Sequence, residues 1–202
     1  MNIAADLTLI GALATVWLAA GLLADALPDA TDARMLHRRA RALSILVGLG
    51  AAVLVSIPVI TGMLPGTSAA PTAALLPAVP AMIVLTVTLR RLTWLRRGAA
   101  AFSAAPLTPV PPALRAAAAH PLLATPLQVT GLAALIGVPI AAGVIHVPGA
   151  DMAGMAITFV GLAVVAIGVR HALRHNRLAA LGMPVSRVYR SAPALGRGTR
   201  HL

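Results

Sequence analysis

The chain has 202 residues, of which 59% are hydrophobic and 10% charged, with a mean hydropathy of +0.90 and a formal net charge of +11. These values exclude an ordinary soluble domain and indicate an integral membrane protein. The chain contains no Cys, which excludes disulfides, thiolate metal sites and cysteine nucleophiles. The positive charges lie in blocks beside apolar runs, so a membrane surface explains them and no nucleic-acid partner is expected.

Five apolar windows are long enough to cross a bilayer, at residues 7–27, 42–64, 72–89, 122–145 and 152–169. They predict an all-α integral membrane protein, a bundle of five transmembrane helices that occupies residues 1–181. The remaining residues, 182–202, are rich in Arg, Gly and Pro, and we expect a basic, disordered tail.

The distribution of Arg predicts how this bundle is oriented. All sixteen basic residues are Arg, and they fall only in residues 28–41, in residues 90–121 and beyond residue 169. The segments that alternate with these, including the short loops at 64–71 and 146–151, contain none. Basic loops stay in the cytoplasm, so we expect the N-terminus outside and the C-terminus inside. The absence of Lys and Glu is typical of a GC-rich genome, which favours a bacterial inner membrane as the location.

Several helices are expected to continue beyond the bilayer on the basic side. Asp29, Thr31 and Asp32 are candidate caps for a second helix that spans residues 32–63. After the third span, the segment TLRRLTWLRRGAAAF continues a helical pattern until the prolines of residues 106–112 interrupt it. In that segment one apolar side is expected, composed of Leu92, Leu95, Ala99 and Phe102. A short helix, ALRAAAAH, should precede the fourth span, and the last helix should continue to Leu181.

A basic stripe opens the second helix. Four side chains lie at positions i, i+3, i+4 and i+7, namely Arg34, His37, Arg38 and Arg41, opposite Leu36, Ala40 and Leu43. We interpret the stripe first as a topology signal and an anchor for anionic lipid, and second as a docking face for an acidic partner. The third helix contributes the same kind of charge through Arg90, Arg91, Arg96 and Arg97.

Few side chains within the spans are polar or ionisable enough to take part in transport, ligand binding or catalysis. Ionisable residues lie near the ends of the spans, which argues against a proton-coupled or ion-coupled carrier. Gln128 is the most polar side chain within a span; we expect it to hydrogen-bond across helices, and orienting a ligand headgroup is the alternative. Trp17 lies near the middle of the first span, where its indole N–H requires a buried acceptor. Its alternative role is contact with a lipid-like ligand or a partner subunit.

The histidines suggest two further sites. His37 and His120 are a candidate pair for haem ligation, and His171 and His175, four residues apart, are candidate metal ligands. Both pairs lie near the basic side, so the simpler interpretation is a basic membrane surface. We therefore expect no cofactor, no metal and no catalytic residues.

The spans also contain features that bear on helix packing. Small residues at four-residue spacing form stripes on four spans: Gly11, Thr15 and Ala19; Gly48, Ala52 and Ser56; Gly137 and Ala141; Gly154 and Thr158. Prolines occur within or near the ends of spans at Pro58, Pro77, Pro80, Pro126 and Pro139. The prolines are interpreted as fixed kinks, with hinges of a transporter as the alternative.

These patterns together favour a non-catalytic accessory or scaffolding subunit of a membrane complex, in contact with partner membrane subunits or with copies of itself. The alternative is a transporter or channel for a neutral or lipid-like solute, and a haem-binding redox subunit is a lesser alternative.

Overall fold

A computed structural model describes residues 2–104, 109–145 and 149–181. In order along the chain, the helices are α1 (Ile3–Asp25), a 3₁₀ turn (Leu27–Asp29), α2 (Ala33–Met63), α3 (Ala70–Ile83), a π-helical turn (Val84–Thr88), α4 (Leu89–Phe102), α5 (Pro112–Ala118), α6 (Pro121–Ala141) and α7 (Gly149–Leu181). Within the described ranges, the only β-type pairing is an isolated bridge between Asp32 and Pro109.

The predicted helical class is confirmed, and so is the predicted number of helices long and apolar enough to span a membrane. Five helical stretches are long and apolar enough to span a membrane: Ile3–Asp25, Ala33–Met63, Ala70–Phe102, Pro112–Ala141 and Ile157–Ala180. The fourth ends four residues before its predicted limit, because Gly143 adopts a left-handed φ of 71° that terminates a helix. The predicted tail at 182–202 lies outside the described residues.

The start of α2 agrees with the predicted cap. The Asp32 carboxylate accepts a hydrogen bond of 2.7 Å from the backbone N–H of Met35, and this bond lowers the pKa of Asp32. Leu36, Ala40 and Leu43 are buried. The first turns of α2 are therefore amphipathic, as expected from the basic stripe on the opposite face.

The α4 segment agrees with its predicted apolar side in part. Leu92, Leu95 and Ala99 are buried, whereas Phe102 is 46% exposed. Because Phe102 is the last residue of α4, its side chain lies at the end of the helix, where it is only partly covered.

Helix α6 lies at the centre of the bundle, and three close contacts through glycine hold α1 and α3 against it. A Cβ at Gly131 would lie 3.0 Å from the Leu18 backbone nitrogen, and one at Gly21 would lie 3.1 Å from Cγ of Gln128. At Gly137 it would lie 3.1 Å from the Ala73 carbonyl oxygen. Such close backbone contact supplies the van der Waals attraction that holds helices together in lipid.

One of the intrahelical prolines, Pro126, has visible compensation. Pro126 has no N–H, so the Leu122 carbonyl one turn earlier loses its helical donor. The hydroxyl of the buried Thr88 donates to that carbonyl at 2.9 Å. Thr88 is the last residue of the π-helical turn, which begins four residues after Pro80. The carbonyl that Pro126 leaves without a helical donor is therefore satisfied by a neighbouring helical segment.

Helix α7 packs differently from the other spans. Only 6% of its apolar window is buried, compared with 67% for the window that contains α6. Its contacts are mainly with α6 and α5, and it barely touches α3. The polar anchoring of α7 lies at the end of the bundle that carries the arginines, which we call the basic end.

Candidate anion-binding site at the basic end

The basic stripe of α2 is displayed at the surface. Arg34, Arg38 and Arg41 are exposed, and His37 is half-buried with Nδ1 3.2 Å from the carbonyl oxygen of Arg96. Because a carbonyl can only accept, Nδ1 of His37 carries the proton in this contact. His37 therefore joins α2 to α4, while the three arginines are open to an anionic surface.

Carboxylates compensate only part of this charge. Arg174 donates to the Asp25 carboxylate at 3.0 Å and to Asp29 at 2.6 Å, and Arg170 donates to Asp25 at 2.8 Å. Arg174 also donates to the backbone carbonyl of Asp25 at 2.8 Å. The carboxylates of Asp25, at the end of α1, and of Asp29, in the 3₁₀ turn, are thus both engaged by α7. Among the described residues, no other ion pairs between side chains occur, so the arginines of α2 and α4 form no ion pair with a carboxylate.

Close to these ion pairs, Gln128 of α6 connects to both α1 and α7. Its amide nitrogen donates weakly to the Gly21 carbonyl at 3.4 Å, and its Oε1 lies 3.0 Å from Nε2 of the buried His171. With the amide assigned this way, His171 is the donor and its proton resides on Nε2. The predicted hydrogen bond of Gln128 across helices is present, and His171 is a partner that sequence reasoning did not assign to it.

A cavity of about 650 Å³ opens at the basic end between the π-helical turn, α4, α5 and the start of α6. Its polar lining includes Arg90, Arg91, His120 and His175, and Trp94 is also part of the wall. Both arginines are exposed, and Trp94 is 60% exposed. The lining contains no carboxylate. A cavity with these side chains suits an anion that also has an apolar part.

The two cavity histidines are held in complementary tautomers. Nδ1 of His175 lies 2.8 Å from the Ala116 carbonyl, so it donates there and leaves Nε2 as the second nitrogen. Nδ1 of His120 accepts the backbone N–H of Leu122 at 3.2 Å, so a neutral His120 carries its proton on Nε2. The two rings pack with their centroids 4.9 Å apart. His120 can therefore donate a hydrogen bond from Nε2 to an anion.

The two members of each predicted histidine pair contact different groups. The partner of His37 is the Arg96 carbonyl, whereas the ring of His120 contacts His175. His171 and His175 bond to Gln128 and to the Ala116 carbonyl respectively. Over the part of the chain that the structure describes, no group of three or more His, Asp or Glu residues is arranged to hold a metal.

Trp17 is fully buried, and its environment differs from the prediction in one respect. Its indole N–H has no acceptor among the described residues. The ring lies against Gly50 of α2, where an added Cβ would be 2.7 Å from the ring. Shape complementarity with glycine, rather than a hydrogen bond, positions this side chain.

Sequence reasoning identified Arg90 and Arg91 as anion-binding residues, but it did not place them with His120 and His175. The cavity combines side chains from segments separated by up to about ninety residues, and their spacing in the chain carries no signal of that proximity.

Comparisons with protein-family models, with curated proteins and with solved structures found no match for this chain.

Proposed function

We propose that the protein is a non-catalytic accessory or scaffolding subunit of a bacterial inner-membrane complex, with its basic end in the cytoplasm. In this role it works by contact with other membrane helices, either of partner subunits or of a second copy. The positive-inside rule supports the orientation.

The observation that carries the proposal is the outward direction of two stripes of small residues. On α2, Gly48 and Ala52 are exposed, and a Cβ added at Gly48 would meet no atom within 4 Å. On α1, Thr15 and Ala19 are exposed, and Gly11 likewise has no close neighbour. The bundle uses other small residues, such as Gly21 and Gly131, for its own packing. Small residues that face outward allow close approach by further helices.

The test introduces bulk into the α2 stripe. We expect Ala52→Leu to reduce self-association or co-purification with native partners about tenfold, because a larger side chain separates the helix backbones. Native mass spectrometry of protein extracted in mild detergent measures both. Ala166→Leu is the matched control, because Ala166 is exposed on α7, away from the stripes of α1 and α2, and Leu suits lipid equally well. Equal association of both variants and the wild type would contradict the docking role of α2, and a purely monomeric wild type without partners would contradict the proposal.

The second candidate function is a transporter for a lipid-like solute, and one observation favours it. An apolar groove separates α3 from α7, with Val79, Ile157 and Val160 along its walls. A transporter would open and close this groove. Spin labels at Val79→Cys and Ile157→Cys, in a chain without native Cys, should give one distance distribution for a scaffold and two interconverting distributions for a transporter.

A further inference from the structure

We propose that the protein binds one anionic glycerophospholipid as an integral ligand, with its phosphate in the basic cavity and an acyl chain in the groove between α3 and α7. This inference is independent of the helix-docking role. It depends only on the charge, shape and continuity of two neighbouring depressions in the protein.

The headgroup end has the donors that a phosphate requires. Arg90 and Arg91 supply guanidinium groups, and His120 presents Nε2–H because its Nδ1 accepts from the α6 backbone. His175 also lines the cavity, and its Nδ1 donates to the Ala116 carbonyl. The carboxylates of the basic end have other partners: Asp25 and Asp29 bind Arg170 and Arg174, and Asp32 accepts from the backbone N–H of Met35.

The side chain of Trp94 places this cavity at a bilayer surface. Trp94 is half-exposed on α4, one turn after Arg90 and Arg91, and it lines the same cavity. Exposed Trp is enriched at the depth of lipid headgroups, where its ring contacts both acyl chains and polar groups. A ligand in this cavity therefore lies at the level of the phosphates of one leaflet.

The apolar groove begins beside the basic cavity. Consecutive residues, His120 and Pro121, line the cavity and the groove respectively, and Val87 of the cavity wall lies one turn from Ile83 of the groove. The groove comprises two adjoining hollows of about 200 Å³ and 250 Å³. Val160 borders both hollows, so they form one path along α7.

The length and lining of this path fit an acyl chain. From Gly168 to Ile157, the α7 wall extends about 17 Å at 1.5 Å per residue, close to half of the roughly 30 Å hydrocarbon core. Leu76 and Val79 form part of the opposite wall, and Pro126 and Val129 form part of the floor. A free phosphate would use only the basic cavity, whereas a phospholipid accounts for both depressions.

The headgroup half of the proposal is tested by native mass spectrometry of the detergent-solubilised protein titrated with phosphatidylglycerol. We expect the wild type to retain one lipid, and the double variant Arg90→Gln/Arg91→Gln to retain it about tenfold more weakly or worse. The matched control is Arg96→Gln/Arg97→Gln, which removes equal charge from the same helix outside the cavity lining. Equal losses in both double variants would show a diffuse electrostatic effect and overturn the site.

The acyl half is tested by filling the groove. Gly161 lines the groove and has open space at its Cβ position, so Gly161→Leu adds bulk there without a clash inside the protein. We expect it to weaken retention of phosphatidylglycerol about tenfold, whereas Gly154→Leu, two turns earlier on α7 and also with open space at its Cβ position, should leave retention unchanged. Unchanged retention in Gly161→Leu would overturn the acyl site.

Competition experiments distinguish the possible sources of phosphate. We expect glycerol phosphate, which has the headgroup but no chains, to displace bound phosphatidylglycerol only at a concentration at least about a hundredfold higher, because the groove contributes to binding of the lipid. Displacement at comparable concentrations would identify the ligand as a soluble phosphate. Retention of phosphatidylcholine equal to that of phosphatidylglycerol would contradict selection of anionic lipid. Circular dichroism of every variant provides a check that the helices are intact.

Discussion

At the scale of single residues, a glycine on one helix makes room for a bulky side chain of the neighbouring helix. Trp17 presents a large ring to α2 in the interior of the bundle, and only glycine leaves room for it at position 50. A buried indole N–H without an acceptor carries a cost in free energy, so the tight packing of the ring has to offset that cost.

A substitution at this contact tests that account. Gly50→Ala places a Cβ 2.7 Å from the Trp17 ring, and we expect it to destabilise the protein by about 1–3 kcal/mol through overpacking. Thermal unfolding in detergent measures the effect. Gly48→Ala, two residues earlier and facing open space, should leave the midpoint unchanged or slightly raised. Equal effects at the two positions would show that helix propensity, and not the contact with Trp17, determines the stability.

At the scale of helices, interhelical polar contacts compensate for prolines and anchor α7. The hydroxyl of Thr88 supplies the donor that Pro126 removes from Leu122. Arg174 holds the exposed helix α7 against the end of α1 through two carboxylates and a carbonyl. Each contact joins helices that are distant in sequence.

The Thr88 contact can be examined with a double-mutant cycle. Thr88→Val leaves the Leu122 carbonyl without a donor, at an expected cost of about 1 kcal/mol. In a Pro126→Ala background, residue 126 regains an N–H for that carbonyl, so Thr88→Val should cost less than half as much. Unfolding free energies of the four proteins give the coupling. Strict additivity would mean that Thr88 does not compensate for the proline.

The two arginines of α7 should differ in their contribution to stability. Arg174 makes contacts with Asp25 and Asp29 and its side chain is 28% exposed, whereas Arg170 contacts Asp25 alone and is 61% exposed. We expect Arg174→Gln to lower stability by about 1 kcal/mol and Arg170→Gln by a few tenths, with both losses smaller at high salt. Thermal unfolding at two salt concentrations measures this. A larger effect of Arg170→Gln would contradict the assignment of Arg174 as the main anchor.

At the scale of the whole molecule, hydropathy and local signals predict the spans well. Apolar windows, the Asp32 cap and the burial of Leu36 follow from interactions within a few residues, so the sequence contains them directly. The packing of Trp17 against Gly50 and the cavity that unites Arg91 with His175 depend on how helices are arranged. In a chain rich in Ala and Gly, many small-residue stripes could mediate that packing, and the sequence does not distinguish the inner stripes from the outer ones.

We propose an orientation of the bundle in which every arginine block lies in the cytoplasm. Labelling of single-cysteine variants with a membrane-impermeant thiol reagent tests it directly, because the chain has no native Cys. Thr67, in the loop between α2 and α3, and Ala104, after α4, are both exposed and lie at opposite predicted faces. We predict that Thr67→Cys is labelled in intact cells, and that Ala104→Cys is labelled only after the membrane is permeabilised. Labelling of Ala104→Cys in intact cells, with Thr67→Cys protected, would contradict the orientation and the cytoplasmic position of the basic end.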